Sequence, residues 1–583
     1  MNENQQWFAD NYGPYWLLND EPRNSQISIL NKIDEALNSG YKNIIVNAGV
    51  GIGKSAIANT ILNSFPTGYI CTKTTNLQNQ YINDYPNLIE LKGRKHYSCN
   101  YKGNTCDNCH IQYLNEYGTF DTKLEVLNEH GRIFERYDNC TDEQWYDIIT
   151  NLKLWSCSDC EYKLAIKRAQ MNPHIVANYH SLYVNSVIMD RFGERDIIIF
   201  DECHNLENIT MDIIQFTFNP DKFYEDTGID VFDNSESKLR DMDNWMILLD
   251  IKKEHLIEER NRYVSLLNDH DIYFNKTYNP TALRQIINDI DIEIETLDYN
   301  LSLVEDGMYV ELPYITNRKL YVGKNKITFK PVFGEKYVNN FLNMGEIRLF
   351  FTGTLPKPNI YCDWIGLNQD NVKYIYEKSP YPVENRPIVY NPIDNFSGTK
   401  NKNGEYKWMK YKNILQIKNL LLKHDCENIV IHTTSNDQTN WLWNNLHNEF
   451  DCIVASGNDR DEIINDFKNQ DNYNVLISPS IKEGVDFKGD SCTVQIILKL
   501  PRPIFAGAIQ ERVKKYLDSE YMNYFTAINL EQAYGRGVRA EDDKCITYIV
   551  DKAFLSWFKG DRYNVPGKEY LSKYFQEAIV MKQ

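Results

Sequence analysis

The stretch KNIIVNAGVGIGKSAIANTIL (42–62) limits most tightly what this chain can fold into. An apolar run, a loop with glycine at 49, 51 and 53, and a helical pattern carrying Ile57, Ile61 and Leu62 read as strand, tight turn and helix. Gly49, Gly51 and Gly53 free the backbone to turn successive N–H groups toward one anion. From Ala48 the spacing is A-x4-G-K-S, a phosphate-binding loop with alanine in place of its first glycine. Lys54 is then expected to reach the terminal phosphates of a nucleotide, and Ser55 to hold Mg²⁺.

RDIIIFDECHNLEN (195–208) supplies the complement, an apolar run ending in two carboxylates. This is the pattern of a buried parallel strand whose C-terminal end faces the phosphates. Asp201 is expected to hold the Mg²⁺, and Glu202 to orient or deprotonate an attacking water. The tetrapeptide D-E-C-H resembles a DEAH box with Cys203 in place of alanine.

Roughly 150 residues separate Lys54 from Asp201, whereas two or three βα units of ~30 residues would suffice. The excess, about 92–164, holds six of the thirteen cysteines: Cys99, Cys106, Cys109, Cys140, Cys157 and Cys160. No basic segment followed by an apolar one opens the chain, so a reducing cytoplasm is expected, in which disulfides are disfavoured. Metal ligation is the better use of clustered thiols. A second excess precedes EIRLFFTGTLP (346–356) and carries two amphipathic patterns. One runs from about 236 to 268; the other sets Leu283, Ile286, Ile287, Ile290, Ile294, Leu297 and Leu301 on one stripe, with Asp289, Asp291, Glu293 and Asp298 on a solvated face. These read as packed arms.

With 583 residues the chain exceeds one core and should form several domains of ~100–200 residues. No apolar run approaches the ~18 residues of a membrane span. A net charge of -18 disfavours coating nucleic acid through bulk electrostatics, so any such path must be a local groove. Candidates near the cysteines are Lys92, Arg94, Lys95, Lys102, Lys163, Lys167 and Arg168. The richness in Asn, Lys, Ile and Tyr points to an AT-rich genome such as that of a phage or a low-GC bacterium.

From about 385 the βα alternation resumes. CENIVIHTTSNDQTNWLWNNL (426–446) reads as strand, loop and helix, and NVLISPSIKEGVDFKGD (474–490) as a strand entering an acidic loop. EQAYGRGVRAEDDKCITYIVD (531–551) reads as a helix carrying Gln532, Arg536 and Arg539, then a strand. At a spacing of three the two arginines would share a helix face and could clamp a transferring phosphoryl group.

In order, these stretches resemble the XPD/DinG family of iron-sulfur superfamily 2 helicases. NDEPRNSQ (19–26) is similar to the family's R-x-x-Q element, NAGVGIGKS to motif I, TKTTNLQNQ (72–80) to motif Ia and DECH to motif II. FTGTL (351–355), EGVDF (483–487) and QAYGRGVR (532–539) resemble motifs III, V and VI. LKGRKHYSC and CEYKLAIKRA resemble the opening and closing of its cluster domain. The resemblance implies an α/β fold with two RecA-like parallel-sheet motor domains, an inserted iron-sulfur domain and a helical Arch domain. It implies Arg23 and Gln26 near the adenine, and Gly484 and Asp486 at the nucleotide. It further implies a 4Fe-4S cluster on Cys99, Cys106, Cys109 and Cys160, with Cys157 or Cys140 as alternates. Zn²⁺ remains an alternative, since C-x2-C recurs at 106 and 157.

The domain bounds so implied are helicase domain 1 at 1–91, 165–215 and 327–384, the cluster domain at 92–164, the Arch at 216–326 and helicase domain 2 at 385–583. The implied activity is ATP-driven, 5′ to 3′ movement along single-stranded DNA with unwinding of forked DNA, by a cytoplasmic monomer. An RNA helicase, and a nucleotide-gated nucleic-acid-binding switch with a zinc domain, stay open at this point. Protein purified without oxygen is expected to carry iron and a broad visible absorbance. Stoichiometric zinc without colour would instead establish the zinc reading.

Overall fold

Apolar runs bounded by polar turns become the central strands of two parallel sheets. The computed structural model describes residues 3–49, 51–98, 161–234, 236–268, 280–305, 307–312, 326–425, 427–457, 459–469, 474–479, 487, 489–540, 542–560 and 565–581. The six cysteines of 92–164, Lys102, and the motif V residues Gly484 and Asp486 lie outside the described residues.

The first sheet contains β1 (Asn43–Ala48), β2 (Gly68–Thr72), β3 (Ile89–Leu91), β4 (His174–Asn178), β5 (Arg195–Asp201), β9 (Gly345–Thr352) and β10 (Val372–Glu377). Its order is β10-β1-β9-β5-β2-β4-β3, and every pairing is parallel. The middle strands are buried along most of their length, which is why they read as near-continuous apolar runs. β9 lies between β1 and β5, with Asn47 opposite Thr352 and Asp201 opposite Phe351. The phosphate loop, FTGTL and DECH therefore leave adjacent strands at the same edge.

The second sheet contains β11 (Ile388–Asp394), β12 (Ile429–His432), β13 (Cys452–Val454), β14 (Val475–Ser478), β15 (Val494–Ile497), β16 (Ile546–Asp551) and β17 (Ile579–Met581). It is again all parallel, in the order β13-β14-β12-β15-β16-β11-β17. Two such sheets, each flanked by helices, are the two RecA-like domains expected.

A small antiparallel sheet of β6 (Phe216–Phe218), β8 (Ile327–Pro331) and β7 (Met308–Glu311) supports the helices Met242–Asn268 and Pro280–Glu305. The pattern at 236–268 is two helices, Glu236–Leu239 and Met242–Asn268, and not one. The Asp241 carboxylate accepts the Asp243 amide at 3.2 Å and so starts the second helix afresh. Leu283, Ile290 and Leu297 are buried as the stripe requires. The acidic face is partly exposed, as expected, and is paired as well. Asp291 pairs with Arg260, Asp298 with Lys253, and Glu293 with Lys222 and Lys252, so these carboxylates hold neighbouring helices together. No helix among the described residues is long and apolar enough to cross a membrane.

The lobes meet through an aromatic interface. Trp364 of the first lobe packs on Tyr521, Tyr524 and Phe525 of the second, with ring centroids 5.5, 4.8 and 5.8 Å apart. Arg512, on the helix Gly507–Lys515, lies with its guanidinium 4.6–4.8 Å from the rings of Phe333, Trp364 and Tyr521. It donates to Glu207 of the first lobe at 2.8 Å and to Asp518 of its own at 2.7 Å. Arg512 and Glu207 are 1% and 3% exposed, so neither charge has water to fall back on. Arg512→Ala should lower stability by roughly 3–5 kcal/mol, the cost of stranding buried partners. Arg512→Lys should restore only part of it, lacking the planar fork that stacks and bridges. Thermal melting of the three proteins checks both.

Candidate nucleotide site and interlobe cavity

The phosphate loop is held open by left-handed glycines. Gly51 and Gly53 both have φ of 83°, and Gly53 caps the helix Lys54–Asn63, whose free N–H groups and dipole favour an anion. A side chain at Gly51 would collide with the Tyr381 hydroxyl, 1.7 Å from where its Cβ would be. That hydroxyl donates to the backbone carbonyl of Arg539. Tyr381 thus touches the loop of one lobe and motif VI of the other. Arg23 donates to the Gly51 carbonyl at 2.5 Å, and the Gln26 amide lies 2.5 Å from the position a Gly53 Cβ would take. Both residues therefore brace the loop itself. The Lys54 ammonium rests 3.5 Å from the Ala48 carbonyl, close to Gly353 of FTGTL.

Asp201 ends β5 with both oxygens engaged. One accepts the Glu202 amide at 3.0 Å and the other the Tyr81 hydroxyl at 3.2 Å. Burial pushes its carboxyl up to about 6, the Glu202 charge adds to this, and Lys54 pulls the other way. Glu202 has left-handed backbone, φ 53° and ψ 46°. Burial would raise its carboxyl too, but Lys54, His204, Arg536 and Arg539 outweigh it and hold it below the usual range. The structure thus gathers Lys54, the acid pair and both arginines around one point. Ser55 and Asp201 offer only oxygen donors, and burial disfavours an uncompensated charge on Asp201, so the two fit Mg²⁺. Among the described residues no group of three or more His, Cys, Asp or Glu side chains forms a metal site.

Arg536 and Arg539 do not share a helix face as expected. The helix Glu520–Tyr534 stops before them at Gly535. Gly537 then packs so tightly that a Cβ would lie 2.3 Å from the Cys545 sulfur and 2.6 Å from Gln495. The arginines ride a loop instead, fixed by Asp543, which accepts the Arg539 and Ala540 amides at 2.6 and 2.7 Å. Gln532 does lie on the helix, where its side-chain amide meets His204 Nε2 at 2.6 Å. The opposite nitrogen, His204 Nδ1, is 3.0 Å from the Thr352 hydroxyl and 3.4 Å from Glu202. His204, Thr352, Tyr81 and Tyr381 were not singled out from sequence. The first two sit inside recognised motifs, whereas the tyrosines carry no local signal. Cys203 is wholly buried, its carbonyl accepting the Tyr361 hydroxyl at 2.7 Å, which suits a small side chain.

Between the lobes lies a cavity of about 550 Å³ lined by Lys73, Asn208, Lys330, Ile504, Phe525 and Gln532 among others. Ile504 and Phe505 stand exposed on the loop beside it. Of the basic residues near the cysteines, Lys92 pairs with Glu90 at 3.0 Å and Arg94 stacks over Tyr162, while Lys167 and Arg168 are exposed.

Two family models match the chain, one over each motor half. "Type III restriction enzyme, res subunit" covers residues 19–224, and "Helicase C-terminal domain" covers residues 417–563. No curated protein matches it. An XPD helicase structure is similar over 96% of this chain and 100% of its own, with a TM-score of 0.56 and 16% identity. The structure of S. tokodaii Xpd4 is similar over 96% and 100%, with a TM-score of 0.51 and 14% identity. An apo XPD structure is similar over 91% and 97%, with a TM-score of 0.52 and 13% identity. The second motor half thus matches a helicase C-terminal domain, and the chain shares its two-lobed fold with the XPD structures.

From this geometry, Glu202→Gln should retain nucleotide binding and lose turnover by about 10²–10⁴-fold, the scale of a lost general base. Lys54→Ala should abolish turnover as well and weaken binding. Single-turnover ATP hydrolysis and equilibrium nucleotide titration check the pair.

Proposed function

We propose that the protein is an ATP-dependent DNA helicase that moves 5′ to 3′ along single-stranded DNA and parts the duplex ahead of it. The observation that supports this best is the divided site. Glu202, at the sheet edge of one lobe, sits in the field of Lys54 beside it and of Arg536 and Arg539 from the other lobe.

Lys54 and the Gly49–Gly53 backbone hold the phosphates, and Arg23 and Gln26 keep that loop in shape on the adenine side. Ser55 and Asp201 hold Mg²⁺, which when bound neutralises phosphate charge. Glu202, held below the usual carboxylate range by Lys54, Arg536 and Arg539 among its neighbours, orients the attacking water. Arg536 and Arg539 face the charge that develops on the transferred group, and reach it only when the lobes are in register. Gln532 and Thr352 meet at His204, so the state of the acid pair is tied to both lobes. Gly484 and Asp486 complete the nucleotide contacts by resemblance.

The strand would occupy the interlobe cavity, with bases on the exposed Phe505 and phosphates near Lys73 and Lys330. The helices Met242–Asn268 and Pro280–Glu305 act as the Arch. A 4Fe-4S cluster on Cys99, Cys106, Cys109 and Cys160 stands where resemblance puts it, in the insertion between the two motifs.

Single-stranded DNA is expected to stimulate ATP hydrolysis, with binding that falls steeply as salt rises. Forks with a 5′ tail should be opened and those with a 3′ tail left intact. Greater stimulation by RNA would make the substrate RNA. Stimulated hydrolysis without strand separation would make the protein a nucleotide-gated switch.

A further inference from the structure

The segment TKTTNLQNQYINDY (72–85) carries two buried tyrosines one helical turn apart, Tyr81 and Tyr85. Each ends at one of the two side chains suited to Mg²⁺. The Tyr81 hydroxyl donates to Asp201 Oδ2 at 3.2 Å, and the Tyr85 hydroxyl lies beside the Ser55 side chain. Burying a phenol hydroxyl is unfavourable unless it is bonded, and a phenylalanine would fill the same space without that demand. Their rings lie 6.1 Å apart in a tilted contact.

The helix that carries them, Thr75–Asp84, is a rigid platform. Gln78 donates to the carbonyls of Leu91 and Val176 at 2.9 and 3.1 Å, and the Thr74 hydroxyl caps the helix start by accepting the Leu77 amide at 3.3 Å. The same segment extends to the other working parts. Lys73 lines the interlobe cavity and donates to Asn205 at 3.1 Å, and Asn76 donates to Asp461 of the second lobe at 3.2 Å.

We infer that Tyr81 and Tyr85 are positioning residues that fix Asp201 and Ser55 for Mg²⁺, and that the helix Thr75–Asp84 links this pair to the cavity and to the opposite lobe. The inference rests on the ATP-hydrolysing reading above. A hydroxyl donated to one carboxylate oxygen locks the rotamer of Asp201 while leaving lone pairs on both oxygens. Removing such an outer partner typically costs 10–100-fold in metal affinity.

The test is binding of a fluorescent, non-hydrolysable ATP analogue, titrated with Mg²⁺, for wild type, Tyr81→Phe, Tyr85→Phe and the double variant. Free Mn²⁺ followed by electron paramagnetic resonance gives an independent readout. Tyr81→Phe should raise the half-saturating metal concentration about 10–100-fold while metal-free analogue affinity stays at the wild-type value. The double variant should exceed either single one. Metal dependence within twofold of wild type in all variants would overturn the inference. So would a parallel loss of metal-free binding and melting temperature, which marks a merely structural role. If wild type itself binds the analogue without regard to metal, the hydrolysis reading fails instead.

Discussion

The charge contact between Arg512 and Glu207, caged by Phe333, Trp364 and Tyr521, is what the rest of the arrangement depends on. The nucleotide site is divided, with the phosphate loop and acid pair on one sheet and the arginines on a loop beyond the other. Two separate lobes bring such groups together only if something fixes their register. Glu207 lies in the first turn of the helix Leu206–Ile214, just after the DECH segment, so the first lobe is gripped close to its acid pair. A buried ion pair adds little net stability over an apolar contact, yet it tolerates no misfit, because each charge displaced from its partner is left dry. The pair therefore serves register more than strength.

Around that fixed side, polar contacts of a different kind span the cleft. Tyr381 meets Arg539 over the phosphate loop, and Gln532 meets His204 behind the acid pair. These are single, partly buried hydrogen bonds worth about 1 kcal/mol each, small enough to be exchanged during a nucleotide cycle. The molecule thus pairs a hard interface with a soft one. Parallel topology makes this possible, since β1, β9 and β5 deliver three motifs to one edge without any intervening chain.

Much of the site was legible because its parts are local. The glycine spacing, the strand before it and the helix after it are all written within a score of residues, as is the apolar run ending at Asp201. The arginine pair was legible as chemistry but not as geometry. A spacing of three suggests a helix face, but the helix ends at Tyr534 with Gly535 as its cap, before either arginine. The ion pairs of the arm helices, the Arg512 cage and the tyrosines beside Asp201 and Ser55 were not legible. Each depends on partners tens to hundreds of residues away, and a buried tyrosine or arginine looks in sequence like any other. The cysteine-rich segment and motif V lie outside the described residues and rest on sequence reasoning alone.

Glu202 carries a further consequence in its backbone. A left-handed conformation in a residue that is neither glycine nor asparagine costs on the order of 1–3 kcal/mol, and here it is kept by surrounding contacts, including its own amide on Asp201. Glycine or asparagine would relax the chain at this point but delete the carboxylate, whereas aspartate would keep a carboxylate one methylene shorter. Under the proposed role of Glu202, any substitution here therefore trades backbone ease against the length or the charge of the side chain.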